Sequence, residues 1–295
     1  MVGADICGFN GNTTASLCLR WMQLGAFYPF ARNHNTDDAI DQDPVALGED
    51  VVRASREALE IRYLLLPYLY SLFFRAHLTG ETVARPLFFE FYKDKMTYGI
   101  DTQFMWGSGL MIVPILQENV IEVQAYIPGG VWYDLYNGSP RPGTGDFQML
   151  YAPNNGIPLL IRGGNILPAQ WPGSTTTESR RNAMVLIVAL DEKQTAVGEF
   201  FWDDGDSLDP VGNQNYTHVL FTAAPGIVTV NITVVGYDGP LKLNYLSVLG
   251  IAKDIDSVTV DGEEVKHHYN ATNEVLDIFG FERSLLSNFS VIWNA

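Results

Sequence analysis

From residue 44 onward the apolar residues of this chain change their repeat once, between residues 77 and 87, and that change limits the fold more than any other feature. Leu47, Val51, Ala54, Ala58, Ile61, Leu65, Leu69, Leu72 and Ala76 recur every three or four positions, the repeat of one helical face. The pattern runs from near Pro44 to His77, and Thr79-Gly80 closes it. Pro67 lies inside it. Lacking an N–H, and with a ring that clashes with the preceding turn, it should kink or split the helix. The aromatic residues Tyr63, Tyr68, Tyr70, Phe73 and Phe74 read as core. From Arg85 onward the repeat is two. Residues 87–91, 110–116, 120–127 and 131–135 are short alternating runs, with turns expected at 136–139 and 141–145, and residues 157–168 complete this first β unit. Residues 171–177 read as a linker. Beyond it, residues 183–190, 197–202, 218–223, 226–235, 242–248, 257–260, 274–278 and 290–293 make a second β unit, with a hairpin turn at Asp261-Gly262. The acidic run Asp203-Asp204-Gly205-Asp206 lacks the rest of an EF-hand spacing and reads as a turn. The expected fold class is α/β followed by all-β of sandwich type.

The candidate site lies in residues 1–35. Residues 1–6, with Asp5 as their one carboxylate, suit a strand. Gly8 and Gly11 break it, and residues 14–22 have helical spacing. Residues 26–31 return to an aromatic strand that delivers Arg32, Asn33, His34 and Asn35 together. Strand, helix and strand over about thirty residues is the size of a parallel βαβ unit. Polar groups at the carboxyl ends of such strands form the binding face, so Asp5 would sit beside Arg32 and His34 around one pocket. Taken singly, an Asp in a strand is also a cap or ion-pair partner, and a single His a satisfied core or surface group. The acidic loop from Thr36 to Pro44 is solvated by default.

Gly3-Ala4-Asp5-Ile6-Cys7-Gly8-Phe9, Arg20-Trp21-Met22-Gln23-Leu24-Gly25-Ala26-Phe27-Tyr28-Pro29-Phe30 and Arg32-Asn33-His34-Asn35 resemble consecutive motifs of glycoside hydrolase family 31, in its maltase-like branch. The resemblance continues through Arg62-Tyr63-Leu64-Leu65-Leu66-Pro67-Tyr68-Leu69-Tyr70, Arg85-Pro86-Leu87-Phe88, Trp132-Tyr133-Asp134, Arg162-Gly163-Gly164 and Phe201-Trp202-Asp203-Asp204-Gly205, in the family's order over nearly the whole chain. It implies the last two βα units of a (β/α)8 barrel over residues 1–80, a proximal β-sandwich over 81–170 and a distal one over 171–295. It also implies a retaining hydrolase, without a cofactor, that removes terminal α-linked glucose from maltooligosaccharides or glycogen-like glucans.

Family members carry a nucleophile Asp in a Trp-x-Asp-Met-Asn-Glu stretch and an acid/base Asp in a Gly-Asp-Asn stretch. Neither occurs in this sequence. The chain is therefore expected to be the carboxyl-terminal portion of such an enzyme, to need the missing amino-terminal part, and to be inactive alone. By the same resemblance it carries the wall of the subsite that grips the terminal glucose. His34 would hydrogen-bond sugar hydroxyls, Arg32 would help orient that loop, Asp5 would line the site or buttress its charged neighbours, and Phe9 would cover one side. A disulfide between Cys7 and Cys18 is implied as well. From the residues alone a bond is favoured and two free core thiols stay open, while a metal site would need further ligands nearby.

Composition narrows the alternatives. A hydrophobic content of 47% with 18% charged residues suits a chain that buries a core. A net charge of −16 argues against nucleic acid, which needs a clustered basic surface. The longest apolar helical stretch, residues 63–74, falls far short of the roughly twenty residues a membrane span needs. No basic-then-apolar leader follows Met1. Sequons at Asn12, Asn215, Asn231, Asn270 and Asn288, with a weaker one at Asn137 ahead of Gly-Ser-Pro, favour the secretory pathway together with the cysteine pair. Two other readings stay open: a carbohydrate-binding or interaction module built on the sandwiches, and a family member with another α-glycoside substrate.

Overall fold

The computed structural model of the chain describes residues 3–153, 156–239 and 241–294. Two compact units emerge. The first comprises Met1–Arg62, Thr82–Pro128 and Thr144–Leu159, and the second Tyr63–Glu81, Gly129–Gly143 and Leu160–Ala295.

In the first unit, helix α1 (Ala15–Gly25) starts at Thr14, whose hydroxyl accepts the Leu17 N–H at 3.2 Å. Its buried face carries Cys18, Leu19 and Met22, packed with Ile6, Val51 and Ala54. The two strands expected beside it are reduced to one parallel bridge, between Ile6 and Asn33, with the Ile6 N–H donating to the Arg32 carbonyl at 2.9 Å. Two causes are visible. Cys7 adopts a φ of 72°, which ends the extended run. The carbonyls of the returning segment also serve side chains instead of a ladder. The Arg62 guanidinium donates to Ala26 at 2.6 Å and Tyr28 at 2.7 Å, and the Trp106 indole donates to Phe27 at 2.7 Å. Residues 1 and 2 of the expected first strand lie outside the described residues.

The expected long helix is two helices, α2 (Glu49–Leu64) and α3 (Leu66–Thr79). The break falls at Leu65. Pro67 then occupies the first turn of α3, where its missing N–H costs nothing. Gly80, with φ 75°, ends α3 in the left-handed conformation, as Thr79-Gly80 suggested. The start at Glu49 is later than expected. The Asp43 carboxylate holds the Val45 N–H at 3.0 Å and the Ala46 N–H at 3.3 Å in a turn, and Gly48 follows with φ 101°.

Strand β1 (Ala84–Pro86) precedes a single helical turn, α4 (Leu87–Glu90), where a strand was expected. Leu87 is buried beneath it, and Arg85 and Glu90 close it with an ion pair at 2.7 Å. Strands β2 (Phe104–Trp106) and β3 (Leu110–Ile112) continue from β1 as an antiparallel meander. Next come β4 (Glu122–Ile127), β5 (Gly130–Asp134), β6 (Pro140–Gly143), β7 (Asp146–Tyr151) and β8 (Leu159–Arg162). Strand β4 pairs with β7 in the first unit, whereas β5 pairs with β6 and β8. The turn expected at 141–145 is thus shorter, since residues 141–143 belong to β6 and the left-handed glycine is Gly145.

The second unit is built on β9 (Asn165–Gln170), β10 (Met184–Ala189), β11 (Ala196–Trp202), β12 (Thr217–Ala224), β13 (Ile227–Val235), β14 (Lys242–Leu249), β15 (Ser257–Val260), β16 (Glu263–Glu264), β17 (Lys266–Asn270), β18 (Val275–Ser284) and β19 (Phe289–Asn294). They bond in the order β16-β15-β19-β13-β12-β11-β9-β10-β14-β18-β17. Most neighbours are antiparallel, and β10 with β14 and β9 with β11 are parallel. Leu186, Phe200, Phe221, Leu246, Ile278 and Val291 fill the core between the sheet faces. Helix α3 packs on the opposite face of β11. Phe74 stacks on Phe201 at 4.3 Å, and Ser71 Oγ accepts the Phe201 N–H at 3.1 Å. Asp261 and Gly262, with φ 51° and 82°, make the expected hairpin turn between β15 and β16. The expected linker is instead ordered. A helical turn, α5 (Thr176–Ser179), brings Ser179 Oγ to the Gly173 N–H at 2.9 Å.

Candidate functional site

The candidate residues assemble around the Ile6–Asn33 bridge. In an extended segment alternate side chains face opposite ways, so Arg32 and His34 point to one side and Asn33 to the other. Arg32 donates to Asp5 Oδ1 at 2.7 Å, and the ring of His34 lies 5.5 Å from that of Phe9 at 42°. The four expected residues therefore form two touching pairs flanking one parallel bridge. The Arg32 guanidinium also sits 5.6 Å over the Phe30 ring, and the Thr36 N–H donates to the Phe9 carbonyl at 3.2 Å. Gly3 allows this close pass, because a Cβ there would meet the Phe30 carbonyl oxygen at 1.8 Å.

Behind the bridge, Gln42 ties the two segments together. Its Nε2 donates to the carbonyls of Ile6 and Gly8, both at 3.2 Å, and to Asn33 Oδ1 at 3.1 Å, while Asn33 Nδ2 donates to the Gln42 carbonyl at 2.9 Å. The loop read as solvated is so at Asp37, Asp38 and Asp41, but Gln42 within it is 4% exposed. Sequence reasoning missed Gln42, Trp106 and the role of Arg62. An arginine inside a quoted motif was a visible signal, whereas a Gln in a polar loop carries none. The Cys7–Cys18 disulfide is present and ties the end of the bridge to the first turn of α1, with both cysteines buried.

Chemically, the exposed side offers a carboxylate that accepts, a guanidinium that donates, an imidazole that does either, and an aryl face beside them. This set suits a polyol. A cavity of about 570 Å³ on the outer side of α1, lined by Thr14, Arg20, Trp21, Tyr28 and residues 115–118, includes none of the four. The acidic turn is satisfied internally. Asp203, buried, accepts from the Tyr70 hydroxyl at 2.8 Å and the Gly205 N–H at 2.9 Å, and Asp204 accepts from Ser207. Of the sequons, Asn12, Asn137, Asn231 and Asn288 are exposed and Asn215 and Asn270 half-buried.

Residues 1–72 match the family profile described as the glycosyl hydrolases family 31 TIM-barrel domain, and residues 80–167 that of the glycosyl hydrolase family 31 C-terminal domain. The chain is 45% identical to intestinal sucrase-isomaltase of Homo sapiens over 304 residues, covering 100% of this chain and 17% of that protein. It is 47% identical to lysosomal alpha-glucosidase of Bos taurus over 268 residues, covering 85% and 29%. The solved glucosidase II alpha subunit in its alpha3-Glc2-bound form superposes with a TM-score of 0.90 at 27% identity, over 99% of this chain and 34% of that one. The chain thus spans less than a third of these curated relatives. The chain belongs to glycosyl hydrolase family 31.

Proposed function

We propose that this chain supplies the glucose-gripping wall of a retaining α-glucosidase that removes terminal α-linked glucose from maltooligosaccharides or glycogen-like glucans. The single observation that carries the reading is the convergence of Asp5–Arg32 and Phe9–His34 on one side of the Ile6–Asn33 bridge. His34 donates and accepts with sugar hydroxyls, Arg32 holds Asp5 and orients the loop, and Phe9 covers one edge. A neutral sugar needs such convergent groups, because each buried polar group left unpaired costs about 1–3 kcal/mol. Residues 1–80 are read as the end of a (β/α)8 barrel, 81–170 as a proximal and 171–295 as a distal β-sandwich. The relatives named lysosomal and intestinal, the disulfide and the exposed sequons support a secretory-route glycoprotein. The partner of this chain is then an amino-terminal part of the same enzyme.

Retaining hydrolysis needs two carboxylates about 5–5.5 Å apart on one sugar, a nucleophile and an acid/base. The stretches that carry them in the family are absent from this sequence. The purified chain should therefore release no glucose from maltose or a chromogenic α-glucoside. A longer protein containing both aspartate stretches should do so at acid pH, and His34→Ala in it should cut kcat/KM by about 10²-fold or more, the scale of a lost positioning contact. Turnover by the 295-residue chain that is abolished by Asp5→Asn would sink this reading and make Asp5 the reacting carboxylate.

A further inference from the structure

The second unit carries an aromatic site that none of the residues above belongs to. Of the six tryptophans, Trp171 alone is exposed, at 44%. Trp106, Trp132, Trp202 and Trp293 are buried, and Trp21 is half-buried. An indole combines a large apolar face with one N–H donor, which is why Trp is enriched at surfaces that bind a partner. Trp171 is held. Its N–H donates to the Ala183 carbonyl at 3.4 Å, and its own carbonyl accepts from Asn182 Nδ2 at 2.9 Å. Gln170 Nε2 in turn fixes the Asn182 carbonyl at 2.8 Å. The ring meets Tyr245 edge-on, 5.7 Å away at 71°.

From Tyr245 the same sheet face turns polar. The Tyr245 side chain stands near the Asp277 carboxylate on β18, and burial together with that negative charge pushes its pKa well up, so it remains a neutral hydroxyl. Asp277 lies directly across from His268 on the edge strand β17 and from Ser247 on β14. The order of strands from Trp171 is thus β9, β10, β14, β18, β17. The Trp171 ring lies 5.7 Å from that of Tyr245 on β14, and the two interstrand spacings from β14 to β17 add about 10 Å, so the row is about 15 Å wide.

We propose that Trp171, Tyr245, Asp277 and His268 form a second carbohydrate surface, which takes several residues of a neutral α-glucan laid across the strands. A sugar ring presents an apolar C–H face to the indole and hydroxyls to the carboxylate and imidazole, and a row of about 15 Å exceeds a single ring. A protein-docking patch would show contiguous exposed aliphatics. Among the described residues, no large exposed apolar side chain stands on β9, β10, β14, β18 or β17, and Trp171 follows directly on β9. The net charge of −16 disfavours an anionic polysaccharide. The choice of an α-linked glucan rests on the substrate class proposed above, and the stacking geometry does not.

The test is native affinity electrophoresis of the full 295-residue chain in gels containing glycogen or barley β-glucan. Glycogen should retard the wild type. Trp171→Ala should weaken retardation by at least about tenfold, the scale of one lost aromatic contact. Trp171→Phe should recover part of it. Asp277→Asn and His268→Ala should weaken it too, each with an unchanged thermal melt, and His34→Ala should still be retarded. No retardation of the wild type, or equal retardation of Trp171→Ala, overturns the proposal. Loss with His34→Ala but not with Trp171→Ala also overturns it, while leaving the glucose-gripping wall in place. Equal retardation by the β-glucan overturns the α-glucan assignment.

Discussion

Asn33 and His34 are adjacent, yet they face opposite ways, one anchoring the bridge from behind and the other presenting a ring to solvent. Gln42 makes that division possible. Replacing it with Leu removes the side-chain donor to the Ile6 and Gly8 carbonyls, so Gln42→Leu should cost about 1–3 kcal/mol. Hydrogen exchange should show it first at the Ile6 and Thr36 amides, which bond to Arg32 and Phe9, while amides of β12 and β13 stay protected. Asp204 is a second residue with a readable signature. Bonds from the Ser207 hydroxyl, the Ser207 N–H and the Asp206 N–H lower its pKa from 3.8 to about 2. As the folded pKa is the lower one, the unfolded chain takes the proton first as pH falls. The stabilisation is therefore complete above the unfolded value and lost as pH drops from about 4 towards 2. A melting-temperature gap between wild type and Asp204→Asn that is flat from pH 5 to 7 and closes below pH 2 is the expected result. A gap that widens in acid would refute it.

At the scale of elements, the split of the long helical pattern assigns its halves to different cores. Helix α2 packs Val51 and Ala54 with Ile6 and Met22, whereas α3 puts Phe74 on Phe201 and Arg75 near Glu199. A fragment of residues 63–294 should therefore melt higher than one of residues 81–294, which would bare Phe201 and unpair the Ser71-bonded Phe201 N–H. In the longer fragment Phe74→Ala should cost about 3–5 kcal/mol by denaturant unfolding. Equal melting of the two fragments would mean that α3 adds nothing to the sheet.

For the whole molecule, each unit holds its own core, and the Cys7–Cys18 bond lies in the first. Reduction under native conditions should destabilise that unit by about 2–3 kcal/mol through the freed loop of its unfolded state. The transition of the second unit, followed by the fluorescence of Trp202 and Trp293, should not move. A matching shift of both would show that the two unfold as one.

The sequence by itself determined the change from helical to β periodicity, the split at Pro67, the stop at Gly80, the Asp261-Gly262 turn and most strands of the second unit. Each of these is a local matter, of repeat, missing N–H or tolerated φ, and nearby residues suffice to specify it. Its motif resemblance also named the family. Other features depended on partners far along the chain, and there the sequence misled or was silent. Residues 26–31 read as a strand, but Arg62 and Trp106 take the carbonyls of Ala26, Phe27 and Tyr28. Residues 87–91 alternate like a strand, yet Leu87 is pulled under a helical turn closed by Arg85 and Glu90. Gln42 has no pattern of its own, because its role exists once Ile6, Gly8 and Asn33 surround it. Periodicity reports which face a residue turns to the core, whereas hydrogen bonds to long-range partners decide what the backbone between such faces does.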